Sequence, residues 1–149
     1  MTAVPHSSFV ALFPKDGEFD HPAGASFART LEDGLRSRSF AVKEFENWRD
    51  CGWVVYVSVG EKMFEVYFAE YGKENQFGWL LAVAPLNQPG ALARLFGRKA
   101  ITVATELQSI SAAVHEILST HPAVSKIRWF LGGPPEKVPS YASPNELAF

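Results

Sequence analysis

Apolar and polar residues alternate through two neighbouring segments in the middle of the chain, Gly52–Val59 and Lys62–Phe68. This two-residue period is typical of β-strands that bury one face. The two residues between them, Gly60 and Glu61, suit a type II′ hairpin turn, because that turn takes glycine at its first central position. A slip of one residue would turn the apolar set toward water, so the pattern predicts one register. The predicted opposite pairs are Trp53–Phe68, Val55–Val66, Val57–Phe64 and Val59–Lys62 on the apolar face, and Val54–Tyr67 and Tyr56–Glu65 on the other face.

A third alternating segment follows the hairpin after the polar loop Gly72–Asn75. It contains Phe77, Trp79, Leu81 and Val83, which continue the apolar face of a three-stranded meander. We predict that Phe68 lies opposite Trp79 and that Val66 lies opposite Leu81.

Three further strands are predicted outside the meander. Ser8–Phe13 alternates and is followed by proline, and Lys126–Leu131 alternates and ends at a glycine pair. Phe40–Glu46 predicts another strand, in which Phe45 falls out of phase and indicates a bulge or a strand end.

Helical spacing of apolar residues predicts two long helices and one short one. The first has Asp20 as its N-cap and Pro22 in its first turn, and it ends near Ser37. A short helix spans Pro89–Gly97, and a second long helix spans about Val103–Thr120.

The order strand, helix, four strands, helix, strand predicts the α+β class. We expect a two-layer sandwich, in which a mostly antiparallel sheet of about six strands carries the two main helices on one face. Residues 1–133 are expected to form a single domain, and residues 134–149 a tail rich in proline and serine.

Composition narrows the function classes. The chain has 149 residues, 47% of them hydrophobic and 20% charged, which is typical of a globular domain. No segment approaches the ~18 apolar residues of a membrane span, and the start lacks the pattern of a secretory signal, so a cytoplasmic location is expected. The net charge of −2 gives no general attraction to nucleic acid or to anionic lipid.

Common catalytic and metal-binding motifs are missing from the sequence. Cys51 is the single cysteine, and His115 and His121 lack the i, i+4 spacing that places two imidazoles on one metal ion. No serine lies in a nucleophile-elbow motif. We therefore expect no cofactor, no metal site and no catalytic residue, while an unrecognised pocket between helices and sheet that uses Asp20, His21 or Glu65 stays an alternative.

Acidic residues cluster in two predicted loops. The first is Lys15–His21, where Asp16 also suits a turn and where the spacing lacks the later bidentate glutamate of a calcium loop. The second surrounds Trp48, which either anchors a partner or folds over the end of the helix–sheet core. Aromatic side chains on the exposed sheet face could also bind a partner. The predicted partner-binding residues are Asp16, Glu18, Asp20, Glu44, Glu46, Trp48, Asp50, Tyr56 and Tyr67.

Two short segments carry a family resemblance. Phe19–Gly24, followed by Trp48–Trp53 at the start of the meander, resembles small bacterial α+β proteins, some of which act as immunity proteins for secreted toxins. The resemblance covers about residues 9–84 and includes no catalytic signature. It implies a cytoplasmic inhibitor that binds a toxin domain.

The sequence therefore predicts a non-enzymatic protein-binding module, an immunity protein that binds and inhibits a cognate toxin through its acidic loops. A secretion chaperone is an alternative of similar size, although such chaperones are more acidic and differ in element order. A small enzyme is the third alternative.

Overall fold

The computed structural model describes residues 4–13, 22–73, 75–86 and 103–148. Within these residues an antiparallel sheet of seven strands carries two long helices on one face, so the predicted α+β sandwich is confirmed. The strands are β1 (Pro5–Ala11), β2 (Ala41–Val42), β3 (Glu46–Trp48), β4 (Gly52–Val59), β5 (Lys62–Glu70), β6 (Gly78–Pro85) and β7 (Val124–Leu131), and the helices are α1 (Ala25–Ser37) and α2 (Ala104–Thr120). The sheet order is β2-β4-β5-β6-β1-β7, and β3 also pairs with β4.

The central hairpin has the register that alternation predicts. All six predicted pairs between β4 and β5 are present, from Trp53 opposite Phe68 to Val59 opposite Lys62. Gly60 has φ 62°, the sign that the first central position of a type II′ turn requires.

The register of β6 on β5 differs from the prediction by two residues. Phe68 lies opposite Leu81, not Trp79, and Val66 lies opposite Val83, not Leu81. Because the shift is even, each apolar side chain still faces the core.

A longer strand explains this shift. β5 continues to Glu70, which pairs with Trp79, and Tyr71 N–H donates to the carbonyl oxygen of Gly78 at 2.8 Å. The connection therefore ends at Phe77, two residues beyond its polar core Gly72–Asn75.

The start of α1 also differs from the prediction. Gly24, not Asp20, is the N-cap, and Pro22 precedes the helix. Gly24 has φ 102°, and a Cβ at this position would lie 3.0 Å from the ring of Phe68. The chain thus enters the helix through a left-handed residue pressed against the core, a position that favours glycine. Asp20 itself lies outside the described residues.

The predicted strand Phe40–Glu46 is divided into β2 and β3. At the break, the backbone N–H of Phe45 donates to the Glu32 carboxylate of α1 at 2.8 Å, and the Phe45 ring packs edge-on against Trp53. Burial alone would raise the pKa of Glu32, but this hydrogen bond and the adjacent Arg36 outweigh burial and lower the pKa. A tertiary hydrogen bond to α1 therefore takes the place of sheet pairing at Phe45.

The main core lies between the helices and one face of the sheet. The two helices meet closely at Gly34, where an added Cβ would lie 2.7 Å from Ile117 Cδ1. The largest fully buried side chains of this core are Phe27, Leu31, Leu35, Phe64, Phe68, Leu81, Leu107, Ile110, Leu118 and Trp129.

The final described residues lie against β7 and α2. Tyr141 exchanges two backbone hydrogen bonds of 2.7 Å with Trp129, and Leu147 is buried in the core. The predicted short helix Pro89–Gly97 lies outside the described residues.

Neither α1 nor α2, the long helices of the described ranges, has the length and apolar character needed to cross a bilayer.

His115 links α2 to the buried Trp129. The indole N–H of Trp129 donates to His115 Nδ1 at 3.0 Å, which requires an unprotonated Nδ1. Burial lowers the pKa of His115 below its ordinary value of 6.5. The folded protein therefore favours the neutral ring.

We expect stability to fall as the pH drops below about 6.5, because the unfolded chain then binds a proton that folded His115 resists. The stabilisation is complete above the unfolded pKa and is lost as the pH falls toward and through the lowered pKa. His115→Gln keeps an acceptor for Trp129 but does not titrate. Melting temperatures measured from pH 7.5 to 5.5 should fall more steeply for the wild type than for this variant.

His6 and His121, whose pKa values burial also lowers, are present in both proteins and cancel from the comparison. Equal slopes would contradict the assigned role of His115.

Candidate functional site

The second face of the sheet lies opposite the helix layer. Strand alternation places Val54, Tyr67, Ala82, His6 and Phe130 in one row across it. We call this the open face. Val54, Ala82 and Phe130 are buried, while Tyr67 and His6 are partly exposed, so the row forms an apolar floor with accessible aromatic edges.

Polar and aromatic residues gather at one end of the open face. Glu46 lies opposite Val54, and Tyr56 lies opposite Glu65, so their side chains share this face. Trp48, from β3, stacks on Tyr67, with ring centroids 4.6 Å apart and an interplanar angle of 18°. We define the open-face patch as Glu46, Trp48, Arg49, Tyr56, Glu65 and Tyr67.

Gly52 is the residue of β4 that separates Trp48 from β5. β4 lies between β3 and β5, so the indole must reach across β4 to contact Tyr67. Gly52 is the residue of β4 directly opposite Trp48. Because glycine has no side chain, the path of the indole stays clear.

Arg49 follows Trp48 in a tight turn and lies over its ring. The guanidinium carbon is 5.0 Å from the centroid of the indole, within the range of a cation–π contact. Arg49 has φ 54° and Asp50 has φ 56°. Two consecutive left-handed residues are typical of a type I′ turn, which normally contains asparagine and glycine.

Two hydrogen bonds hold this turn. Cys51 N–H donates to the carbonyl oxygen of Trp48 at 3.1 Å, and Asp50 N–H donates to Asn47 Oδ1 at 2.7 Å. The turn therefore keeps Arg49 in a left-handed conformation that arginine does not favour, whereas aspartate at position 50 tolerates it.

The patch is partly desolvated. Burial raises the pKa of the Glu65 carboxyl, and the positive charge of Arg49 opposes that shift. Burial also raises the pKa of Tyr56 and Tyr67, and the charge of Glu65 adds to both shifts. The electrostatic interactions among these groups therefore act through a medium less polar than water.

A groove of about 200 Å³ borders the patch. Its walls include Trp48, Tyr67, Leu80 and His6, and Ala82 lies at its floor. The Nδ1–H of His6 donates to the Val4 carbonyl at 2.8 Å. Burial lowers the pKa of His6, so its ring adds no positive charge to the groove at pH 7.

A larger cavity of about 540 Å³ lies beyond the end of β1. Leu12 and Phe77, both exposed, line it together with Tyr71 and Lys73. Phe13, which also lines the cavity, is the last described residue before residues 14–21.

The predicted partner-binding residues fall into three groups. Asp16, Glu18 and Asp20 lie outside the described residues. Glu44 and Asp50 are exposed, in the link between β2 and β3 and in the turn before β4. The remaining four, which come together in the open-face patch, are Glu46, Trp48, Tyr56 and Tyr67.

Two sequence-based alternatives need correction. Trp48 does not fold over the end of the helix–sheet core, because its ring lies on Tyr67 on the opposite face. Glu65 also faces away from the helices, since it pairs with Tyr56 and Ala84, so it cannot line a pocket between helices and sheet. The face of Trp48 is decided by the pairing of β3 with β4, whereas the face of Glu65 follows from the alternation along β5.

Sequence reasoning did not identify Arg49 as a member of the site. The available signal was its position next to a tryptophan in a predicted turn, where a guanidinium can reach the neighbouring ring.

Groups of three or more histidine, cysteine, aspartate or glutamate side chains that could hold a metal ion are absent from the described parts of the chain. The acidic loop Lys15–His21 lies entirely outside those parts.

Comparison of the chain with protein-family models, with curated proteins and with solved structures finds no match.

Proposed function

We propose that this protein is a protein-binding module that uses the open-face patch to contact another protein. The observation that carries this proposal is the partly exposed stack of Trp48 on Tyr67, on the sheet face opposite the helices. Tryptophan, tyrosine and arginine are the residues most enriched at binding hot spots, and all three occur here side by side.

The rigidity of the patch supports the proposal. Tyr56, Glu65 and Tyr67 project from β4 and β5, which pair without interruption along their length, so their positions are fixed before binding. Side chains that are ordered in advance lose little conformational entropy when a partner binds. The groove beside the patch gives a partner side chain a place to insert.

The resemblance to toxin-immunity proteins fits one form of this function, in which the partner is a toxin domain that the module inhibits. In that form the exposed Glu44 and Asp50 extend the patch at its rim, and the Lys15–His21 loop contributes further carboxylates. The secretion-chaperone alternative would use the same face with a different partner. Both belong to the proposed class, and neither requires chemistry at the patch.

Site-specific photo-cross-linking tests the proposal. A benzophenone amino acid replaces Tyr56 in the patch, and the matched control carries it at Ser109, an exposed position on α2. In extracts of the source cells, we expect a discrete cross-linked protein from position 56 and none from position 109.

The identified protein is then purified for binding measurements. Trp48→Ala should weaken binding about thirtyfold, the effect of a hot-spot residue worth about 2 kcal/mol, whereas Ser109→Ala should leave binding unchanged. Melting curves verify that both variants are folded. Cross-linking from position 109 alone, or full affinity in Trp48→Ala, would overturn the proposal.

A further inference from the structure

We propose that the open-face patch receives a cationic side chain, an arginine or a lysine, from the partner protein. That side chain takes the position which Arg49 occupies in the free protein. This inference rests on the proposed function, and it specifies the chemistry of the partner and the role of Arg49.

The charges of the patch favour a cation. Within the patch Glu46 and Glu65 carry carboxylates, and Arg49 is its single cation. His6, which borders the patch, is neutral at pH 7 because burial lowers its pKa. When Arg49 moves aside, two carboxylates remain without a positive group in the patch. An incoming guanidinium or ammonium then replaces the lost positive charge.

The aromatic stack favours the same ligand. The faces of indole and phenol rings carry negative potential and attract cations. Arg49 demonstrates this chemistry within the chain, because its guanidinium lies 5.0 Å from the Trp48 ring centroid. Its positive charge also lowers the pKa values of Glu65 and Tyr67, against the larger effect of burial, so these groups lie within electrostatic range of Arg49.

The left-handed backbone conformation of Arg49 fixes the direction in which its side chain leaves the turn. Arginine is uncommon at positive φ, and here both central residues of the turn adopt it without glycine or asparagine. Strained positions of this kind cluster at binding sites. The Arg49 side chain is exposed, so it can leave the ring by rotating its own torsions while the turn keeps its hydrogen bonds.

A blocked Gly-Arg-Gly-Arg-Gly peptide is a direct probe of the cation position. Its binding is followed through the indole N–H resonance of Trp48 in ¹H–¹⁵N spectra, assigned by comparison with Trp48→Phe. We expect saturable shifts of this resonance with the arginine peptide and none with the matched Gly-Glu-Gly-Glu-Gly peptide.

Three variants test the role of Arg49. Arg49→Ala should tighten peptide binding about threefold, the equivalent of one exposed cation–π contact, because the competing guanidinium is gone. Glu65→Gln should weaken binding. Arg38→Ala removes one positive charge from the far end of α1 and should leave binding unchanged.

The outcomes separate this inference from the proposed function. If Arg49→Ala weakens binding, or if Arg38→Ala tightens it equally, or if the glutamate peptide binds, the cation inference is overturned. Suppose that a partner cross-links at position 56 and binds Trp48→Ala weakly, but also binds Arg49→Ala less tightly than the wild type. That result overturns only the cation inference. A patch that binds the arginine peptide but cross-links no protein overturns the proposed function and leaves the cation position supported.

Discussion

Val55→Asp should leave the protein unfolded at 25 °C. Val55 is fully buried at the centre of β4, opposite Val66 and under the helix layer. A carboxylate there would have no partner, and even as the neutral acid it would bury unsatisfied polar atoms, at a cost of several kcal/mol. This cost approaches the whole stability of a typical domain, about 5–15 kcal/mol. Circular dichroism at 25 °C checks the result.

Two changes on the opposite face of the same hairpin serve as controls. Ser58→Asp places the same side chain on β4 toward the open face, where we expect a loss within about 1 kcal/mol. Glu65→Gln should be nearly silent, because burial already disfavours its charge. If Glu65→Gln destabilised the protein more than Val55→Asp did, the assignment of the two faces would be wrong.

Gly52→Ala should be the most damaging single-methyl change in the described hairpin. The added Cβ would overlap the carbonyl oxygen of Phe68 and crowd Ala69. This oxygen belongs to the neighbouring strand, so it cannot move without distorting the β4–β5 ladder. We expect a loss of about 3 kcal/mol, at the upper end for overpacking, and a fall in melting temperature of roughly 6–12 °C.

Gly60→Ala is the matched control, because an added Cβ there meets no atom within 4 Å. Its cost comes only from the positive φ of the turn and should be about 1 kcal/mol. The comparison therefore separates steric overlap from backbone strain. A larger loss for Gly60→Ala than for Gly52→Ala would contradict the role assigned to Gly52.

Local alternation was sufficient to predict the hairpin but not the strand beside it. In β4 and β5 a two-residue turn fixes the register, so only one alignment keeps Trp53 and Phe68 buried together. For β6, alignments that differ by two residues bury the same side chains, and the loop length decides between them. That length depends on the bond from Tyr71 to Gly78, which the polar pattern of the loop does not encode.

Tertiary contacts account for the other differences. Phe45 leaves the sheet because Glu32, on α1, accepts its N–H. α1 begins directly after Gly24, whose positive φ and close approach to the rings of Phe68 and Trp79 favour glycine. Neither cause appears within the local sequence window, since each joins parts of the chain that lie on different elements.

The candidate site was predictable in part. Tyr56 and Tyr67 followed from strand parity, because the hairpin register sets their face. The face of Trp48 could not be inferred, since its segment read as a turn and strand parity does not apply to turns. Once β3 pairs with β4, Trp48 falls on the same face as Tyr67, and Arg49 follows it.

The position of β1 between β6 and β7 has a consequence for synthesis on the ribosome. His6 pairs with Ala82 on one side and with Phe130 on the other, so β1 is fully paired only after β6 and β7 have both been synthesised. The meander of β4, β5 and β6 has its pairing partners close in sequence and can close early, at low entropic cost. Until β7 emerges, one edge of β1 has unpaired backbone groups, the kind of edge that recruits foreign strands. A nascent chain that has not yet been extended through Val124–Leu131 therefore exposes this edge of β1.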